Sequence, residues 1–411
     1  MTRAAGAALA LGVALLGSTL GLAAPAQAAE CTTDKTQYVP TASPTLSALG
    51  IPQSWQVSVG QGQVVAVVDS GVNTANRHLP ADTVVLPGTS FVPGDPEPDG
   101  RTDEYGHGTA VAGIIAARPI QGVKSGMYGA APATRILPVR VFQTSSADPE
   151  PGQYLPSGER TAAGIRWAAD HGADVINVSL SAPANNTALR LMRSAVQHAL
   201  ARGIVVVASS GDSLSGQADS TDRFPAAFDG VISVAATNAD GVVDDYSVHG
   251  SSVDVAAPGS NVLVTFHGAG DCQSNATPMT SWAAPFVSAL AAQLKQHFPK
   301  DTPAQIEYRI TSTAQRPVAG SRDNDEGWGL IQPYDALTAP LDARRPGPTA
   351  PGQQAAAPAR ASATEVKPMS LREDPLAPVR EQALWWIIGA GGLAALALVL
   401  RPLMMRARRS R

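Results

Sequence analysis

Short, nearly continuous apolar runs that alternate with helix-patterned segments constrain the fold of this chain most strongly. The runs "QVVAVVDS", "TRILPVRVF", "ADVINVSL", "IVVVAS" and "VISVAATN" are rich in Val and Ile and have the length of strands. Interspersed with them are "GTAVAGIIAA", "ERTAAGIRWAADHG" and "TALRLMRSAVQHALARG", which have helical spacing. Strands that are apolar on both faces and connected through helices form a parallel sheet covered on both sides. The sequence therefore predicts a three-layer α/β fold with a mostly parallel central sheet.

Both ends of the chain carry patterns typical of membrane targeting. The apolar run 8–22 and the small-x-small triplet 26–28 indicate an export signal that is cleaved before Ala29. The uncharged run 383–400 is long enough to cross a bilayer as a helix. Arginines cluster in 401–411, and such clusters beside a span stay on the cytoplasmic side. We therefore expect a single-pass protein of the cell membrane, with its N-terminal bulk outside the cytoplasm.

The region between these ends divides into a globular part and a linker. Residues 339–382 are rich in Pro and Ala and contain too few large apolar residues for a core, which is typical of a tether. The alternatives at the ends are an uncleaved membrane helix or a lipid anchor at Cys31, and a buried core helix at 383–400. The predicted segments are a signal peptide 1–28, an N-terminal extension 29–60, a globular domain 61–338, a linker 339–382, a transmembrane helix 383–400 and a basic tail 401–411.

Charge and cysteine content narrow the partners and the compartment. The formal net charge is −4 and no basic stripe lies within the globular part, so nucleic acid is not an expected partner. Two cysteines, Cys31 and Cys272, in an exported chain predict one disulfide, with two free thiols as the alternative. Such a bond would connect the N-terminal extension to a loop just before Ser281.

Three polar residues lie at strand ends or helix starts, where α/β proteins have their catalytic and binding residues. Asp69 ends a buried strand, where a carboxylate is costly to desolvate unless it has a partner. His107 begins a helix whose near face is made of small residues, which lets the helix lie close to its neighbours. Ser281 begins a long apolar helix, where it is either an N-cap or a group whose backbone N–H faces an anion. Individually these residues have ordinary structural interpretations, but together they match the order Asp, His, Ser of one type of catalytic triad.

The segments around these residues resemble the signature motifs of subtilisin-like serine proteases. The motifs are "DSGV", "GHGTAVAG" and "TSWAAPFVSA", and the resemblance extends over 61–313. It implies the subtilisin-like fold and a protein or peptide substrate. Ser281 would attack the peptide carbonyl, His107 would transfer the proton, and Asp69 would orient His107. The resemblance implies no metal or organic cofactor for that step, and we locate no calcium site in the sequence.

The predicted architecture resembles a narrower group, the mycosins of type VII secretion systems. A signal peptide, a short N-terminal extension, a Pro-rich tether, one span and a basic tail occur together in that group, and "GAAPATRILPVRVF" is also similar to it. The resemblance implies a membrane-anchored endopeptidase associated with the secretion complex. A catalytically impaired structural component of that complex and a general envelope protease are the alternatives.

The catalytic crevice departs from the family pattern at the oxyanion position. A subtilase holds the developing oxyanion partly with an Asn amide in a Gly-Asn pair, and this chain has Gly211-Asp212 there. An ionised Asp only accepts hydrogen bonds, so we expect slow turnover that improves when Asp212 is protonated. The alternative is a shifted loop in which another group donates.

Other departures lie nearby. Met279 stands where the family has Gly beside the nucleophile. We expect it to strain the backbone and, by its bulk, to narrow the crevice near the scissile bond, unless φ is negative there and Met279 only fills surface. Ser179, Leu180 and Ser181 resemble the Ser-Leu-Gly segment that lines the substrate side-chain pocket, with Ser181 in place of Gly. The polar insertion at 143–159 is expected to form a loop at the rim of the crevice.

Overall fold

The computed structural model describes most of the chain between residues 31 and 352. The described residues are 31–32, 35–146, 148–181, 186–213, 217, 219–318, 320–341 and 347–352. All of them belong to one unit of the chain, which spans Met1–Gln353. The predicted signal peptide, most of the linker, the predicted span at 383–400 and the basic tail lie outside the described residues. Within the described part, no helix has the length and apolar character needed to cross a membrane.

A seven-stranded sheet forms the centre of the molecule, and every paired strand in it is parallel. Its order is β2-β3-β1-β4-β5-β6-β7, and a separate antiparallel pair is formed by β8 and β9. This confirms the predicted mostly parallel α/β fold. The strands are β1 (Val64–Asp69), β2 (Thr89–Ser90), β3 (Arg135–Arg140), β4 (Val175–Val178), β5 (Val205–Ser209), β6 (Val231–Thr237), β7 (Val255–Pro258), β8 (Leu263–Thr265) and β9 (Asp271–Gln273).

Helices cover both faces of the sheet. Along β1, Val65 and Val67 pack into the core on one face, whereas Ala66 and Val68 pack into the core on the other. Helices α3 and α6 contribute to the first core, and α4 and α5 contribute to the second. The helices are α1 (Pro44–Ala48), α2 (Ile51–Ser54), α3 (His107–Ala116), α4 (Gly158–Asp170), α5 (Asn186–Ala201), α6 (Thr280–His297), α7 (Pro303–Thr313) and α8 (Pro333–Thr338).

The N-terminal extension is built into the core. Leu49 and Ile51 are buried in the same cluster as the apolar side chains of α6. Near the end of α6, the buried Gln293 amide donates to Ser58 O at 3.0 Å and to Ala130 O at 3.1 Å. At the start of the extension, a disulfide joins Cys31 to Cys272 on β9, with the Cα atoms 5.1 Å apart. The extension is therefore held at both of its ends.

A pair of carboxylates, Asp254 just before β7 and Glu307 on α7, affects how stability depends on pH. Asp254 Oδ2 accepts a hydrogen bond from Ser233 N at 2.9 Å. Burial raises the pKa of Asp254 to about 7, and repulsion by Glu307 adds to this effect. Burial also raises the pKa of Glu307. Because the folded-state pKa of Asp254 exceeds the unfolded value, stability from this site is complete in acid and is lost as the pH rises through about 7.

Asp254→Asn is expected to increase the free energy of unfolding above pH 7 by about 2 kcal/mol, with little change near pH 4. An amide keeps an acceptor for Ser233 N and does not ionise. Urea unfolding of both proteins at pH 4 and pH 8 measures the difference. The exposed Asp240 provides a control as Asp240→Asn, and equal pH dependence in all three proteins would contradict the prediction.

Candidate active site

The candidate site lies at the carboxyl end of β1, where the strand order reverses. The chain adds β3 on one side of β1 and β4 on the other. Loops that leave such neighbouring strands in opposite directions open a crevice at this edge of the sheet. Asp69 is the last residue of β1 and is fully buried, so its carboxylate lies at the base of that crevice.

Asp69 and His107 are in direct contact. His107 Nδ1 lies 2.8 Å from Asp69 Oδ1, which also accepts a hydrogen bond from Ser70 N at 2.8 Å. His107 is the first residue of α3, and its neighbour Gly108 allows that helix to approach β1 closely. A Cβ on Gly108 would lie 2.1 Å from the carbonyl oxygen of Gly71. The carboxylate thus engages one ring nitrogen of His107 and leaves Nε2 for a reacting group.

Ser281 is the second residue of α6 and is 6% exposed. The N-cap of α6 is Met279, so the N-cap interpretation of Ser281 is wrong. Trp282, the next residue, packs against the His107 ring with the centroids 4.9 Å apart. Ser281 and His107 therefore belong to the same crevice, and Ser281 lies in the first turn of a helix, where backbone N–H groups have no intrahelical partner.

Three carboxylates act on His107. Burial lowers the pKa of the imidazole, but the charge and hydrogen bond of Asp69, followed by the charges of Asp103 and Asp212, outweigh burial and raise it. A raised pKa means that neutral His107, the form that accepts a proton, becomes populated only above the usual pH range for histidine.

Asp103, which was not predicted from the sequence, organises the loop before His107. Its buried carboxylate accepts four hydrogen bonds, from Ser70 Oγ, Gly106 N, Thr109 N and Thr109 Oγ1, at 2.6 to 2.9 Å. Ser70 Oγ in turn accepts from Gly108 N at 2.9 Å. Burial raises the pKa of Asp103 despite these bonds. This hydrogen-bond network connects the end of β1 to the start of α3. It therefore fixes the positions of Asp69 and His107 relative to each other.

Asp212 faces the start of the Ser281 helix. Its Oδ1 accepts a hydrogen bond from Thr280 N at 2.8 Å, and Gly211 N donates to Thr280 Oγ1 at 3.3 Å. Burial raises the pKa of Asp212, whereas the bonds from Thr280 and the charge of His107 oppose the increase. The carboxyl group thus lies beside the first turn of α6 and within electrostatic range of His107.

The segment Ser179–Leu180–Ser181 follows β4. Ser179 is buried, and its Oγ accepts a hydrogen bond from Asn177 Nδ2 at 2.9 Å. Leu180 is also buried and belongs to the core beneath α4 and α5. Ser181 lies beside Gly211, since a Cβ on Gly211 would be 3.3 Å from Ser181 Oγ. Of the three predicted residues, Ser181 is therefore the one brought next to the Asp212 loop.

Met279 does not strain the backbone. Its φ is −119° and its ψ is 128°, which is ordinary extended conformation. The expectation of strain is wrong because the residue is the N-cap of α6, and an N-cap has a β-region backbone that any side chain tolerates.

A pocket of about 270 Å³ opens beside His107. Its apolar walls include Tyr105, Phe266, Trp282 and the Cys31 end of the disulfide. The Tyr105 hydroxyl makes a short hydrogen bond to Ser145 Oγ, which brings the 143–159 insertion to the rim of the crevice. No sequence pattern predicted this pocket, because its walls come from five separate segments of the chain.

No group of three or more His, Cys, Asp or Glu side chains within the described ranges could hold a metal ion.

Comparison with known proteins identifies the family of the chain. Residues 60–329 match the peptidase S8 profile, described as the subtilase family. The chain belongs to the subtilase family. The match includes all three motifs identified in the sequence.

Named relatives of this subtilase include fervidolysin from Fervidobacterium pennivorans, which is 34% identical over 72% of the chain and 44% of its own length. The chain therefore spans less than half of fervidolysin. Mycosin-3 from Mycobacterium tuberculosis is 34% identical over 78% of the chain and 76% of its own length. The crystal structure of MycP1 from the ESX-1 type VII secretion system matches with a TM-score of 0.64 at 29% identity, covering 74% of this chain and 88% of MycP1.

Asp103→Asn is expected to destabilise this subtilase by about 2–4 kcal/mol. The amide nitrogen of Asn would face two hydrogen-bond donors that the carboxylate now satisfies. Urea unfolding measures the loss, with the neighbouring exposed Glu104, changed to Gln, as the matched control. Stability within 0.5 kcal/mol of the unaltered protein would contradict the role assigned to the network.

Proposed function

We propose that this subtilase is a membrane-anchored, extracytoplasmic serine endopeptidase of mycosin type. The observation that carries the proposal is the 2.8 Å contact between Asp69 and His107 in the crevice that also receives Ser281 at the start of α6. The catalytic roles follow from the chemistry. His107 takes the Ser281 proton as the hydroxyl attacks a peptide carbonyl and later returns it to the leaving amine, while Asp69 stabilises the charged imidazole.

The oxyanion position makes turnover slow and dependent on pH. A protonated Asp212 can donate a hydrogen bond to the developing oxyanion, whereas the ionised form repels it. Activity therefore falls as the pH rises through the raised pKa of Asp212 and grows as the pH rises through the raised pKa of His107. These opposing requirements confine turnover to a narrow pH window.

Association with a type VII secretion complex is supported by the similarity to Mycosin-3 and to MycP1 of the ESX-1 system. Membrane anchoring is supported by the uncharged run 383–400 and the arginines after it. On this basis we place the catalytic domain outside the cytoplasm.

The test is labelling of the full-length protein in isolated membranes with a serine-directed fluorophosphonate between pH 5 and pH 8. We expect labelling that is lost in Ser281→Ala and that becomes less acid-dependent in Asp212→Asn. Carbonate extraction of the same membranes should leave the protein in the pellet, and deletion of 383–411 should release it. Absence of labelling in folded wild-type protein at every pH would overturn the catalytic proposal and favour a structural component of the complex.

Loss of type VII secretion in a strain carrying Ser281→Ala would support a catalytic role in that system. Normal secretion in that strain, together with lost secretion when the whole protein is deleted, would show that the domain serves the complex without catalysis.

A further inference from the structure

The proposed mechanism orients a substrate along the crevice, and the present inference rests on that proposed function. His107 returns a proton to the leaving amine, so the leaving side of the peptide lies near His107. The oxyanion points to Asp212 and the start of α6. The side chain that precedes the scissile bond is expected on the other side of Asp212, toward Gly211, because Ser181 of the predicted pocket segment lies beside Gly211.

The surface next to Gly211 is occupied by Arg223. A Cβ on Gly211 would lie 2.6 Å from Arg223 Cγ and 3.3 Å from Arg223 Cβ, at the point where Ser181 Oγ also approaches to 3.3 Å. Gly211 has a φ of +107°, so both its backbone conformation and this close approach require glycine. The stem of Arg223 thus forms a wall together with Ser181, one residue from Asp212.

The guanidinium of Arg223 is oriented by Asp219. Arg223 Nη2 lies 2.6 Å from Asp219 Oδ2, and each side chain is 25% exposed. Asp219 Oδ1 accepts a hydrogen bond from Thr221 N at 2.8 Å. Hydrogen bonding by Thr221 lowers the pKa of the Asp219 carboxyl, and the charge of Arg223 lowers it further. The Asp219 carbonyl accepts from His249 N at 2.8 Å, so the backbone here is anchored as well.

One face of the guanidinium remains available. Nε and Nη1 of Arg223 have no hydrogen-bond partner among the residues that the structure describes, and the side chain is partly exposed to solvent. A guanidinium has five donors and can bind a second carboxylate while it keeps the first.

We propose that Arg223 is a specificity-determining residue, which favours an acidic side chain immediately before the scissile bond and disfavours a basic one. Asp219 orients Arg223 and weakens the preference for an acidic side chain, because its carboxylate partly neutralises the charge of Arg223. The two partners therefore have opposite effects on selectivity.

The experiment compares labelling of Ser281 in the full-length protein by three peptidyl phosphonates. They carry a Glu-like, a Gln-like or a Lys-like side chain next to phosphorus and are otherwise identical. We expect the wild-type rate constant for the Glu-like probe to exceed that for the Lys-like probe by about 10-fold. Arg223→Gln should reverse the order, because it leaves the Asp219 carboxylate unpaired, whereas Asp219→Asn should increase the preference for Glu.

Arg223→Lys, which keeps the charge, should keep the preference for the Glu-like probe. A plain fluorophosphonate without a peptide reports whether each variant is folded and reactive. If all variants react with it and the ratio of the three peptidyl probes is the same throughout, the inference is overturned while the proposed function stands. If the wild type fails to react with the plain probe, the proposed function itself fails.

Discussion

Ser281→Ala is expected to lower kcat/KM for peptide hydrolysis by about 10⁴-fold or more. Loss of the hydroxyl removes the atom that bonds to the substrate carbonyl, and His107 then has no proton to take from the nucleophile. The residual rate would come from the surrounding polar groups acting on a water molecule. Hydrolysis of a fluorogenic peptide by the full-length protein in detergent measures the effect.

A matched control for this change is Ser288→Ala on the same helix. Ser288 Oγ donates to Asn177 Oδ1 at 2.8 Å in the core, so its loss should reduce stability by about 1 kcal/mol while turnover is retained. Turnover by Ser281→Ala within 10-fold of the wild type would identify a different nucleophile.

Asp212→Asn is expected to increase kcat at pH 8 by about 10²-fold, the size of effect that one oxyanion donor has in enzymes of this type. The amide can donate to the oxyanion at every pH, and its oxygen can still accept from Thr280 N. The alkaline limb of the pH profile should therefore disappear, because that limb reflects ionisation of Asp212. The acid limb should remain, because it reflects protonation of His107.

The pH dependence of kcat/KM between pH 5 and pH 9 measures both limbs. Asp222→Asn, at an exposed position of the same loop region, should leave the profile unchanged. An alkaline limb that persists in Asp212→Asn would show that a group other than Asp212 limits turnover at high pH.

The central strands and the helices between them could be predicted because each is a buried segment. The length of each segment and the spacing of its apolar residues are those of a strand or of a helix. This holds for β1, β3, β4, β5 and β6. The edge strand β2 has two residues, and β7 and the β8–β9 pair lie in a Gly- and Ser-containing stretch without a clear period. Those strands form because they pair with a segment that is adjacent in the fold, and no local sequence pattern predicts that pairing.

Part of the candidate site could be predicted from the sequence for a similar reason. Asp69 lies at the end of a strand and Ser281 lies at the start of a helix, and the sequence pattern predicts both boundaries. Asp103 could not be identified, because its partners are backbone amides and hydroxyls that only the folded loop brings together. Met279 was misjudged for a related reason: the backbone angle at a helix N-cap depends on where the helix begins, and the sequence suggested a start at Ser281.

The attachment of the N-terminal extension to α6 limits how this protein can be switched on. Many proteases are held inactive by a leading segment that departs after a cut. Here Gln293, on the helix that begins beside Ser281, holds Ser58 and Ala130 from within the core, and α1 and α2 fill the same core. A cut before residue 61 would leave that segment in place, and its removal would expose apolar surface beneath the nucleophile's helix. Departure of the described part of this extension, 35–60, would therefore remove side chains that belong to the core of the domain.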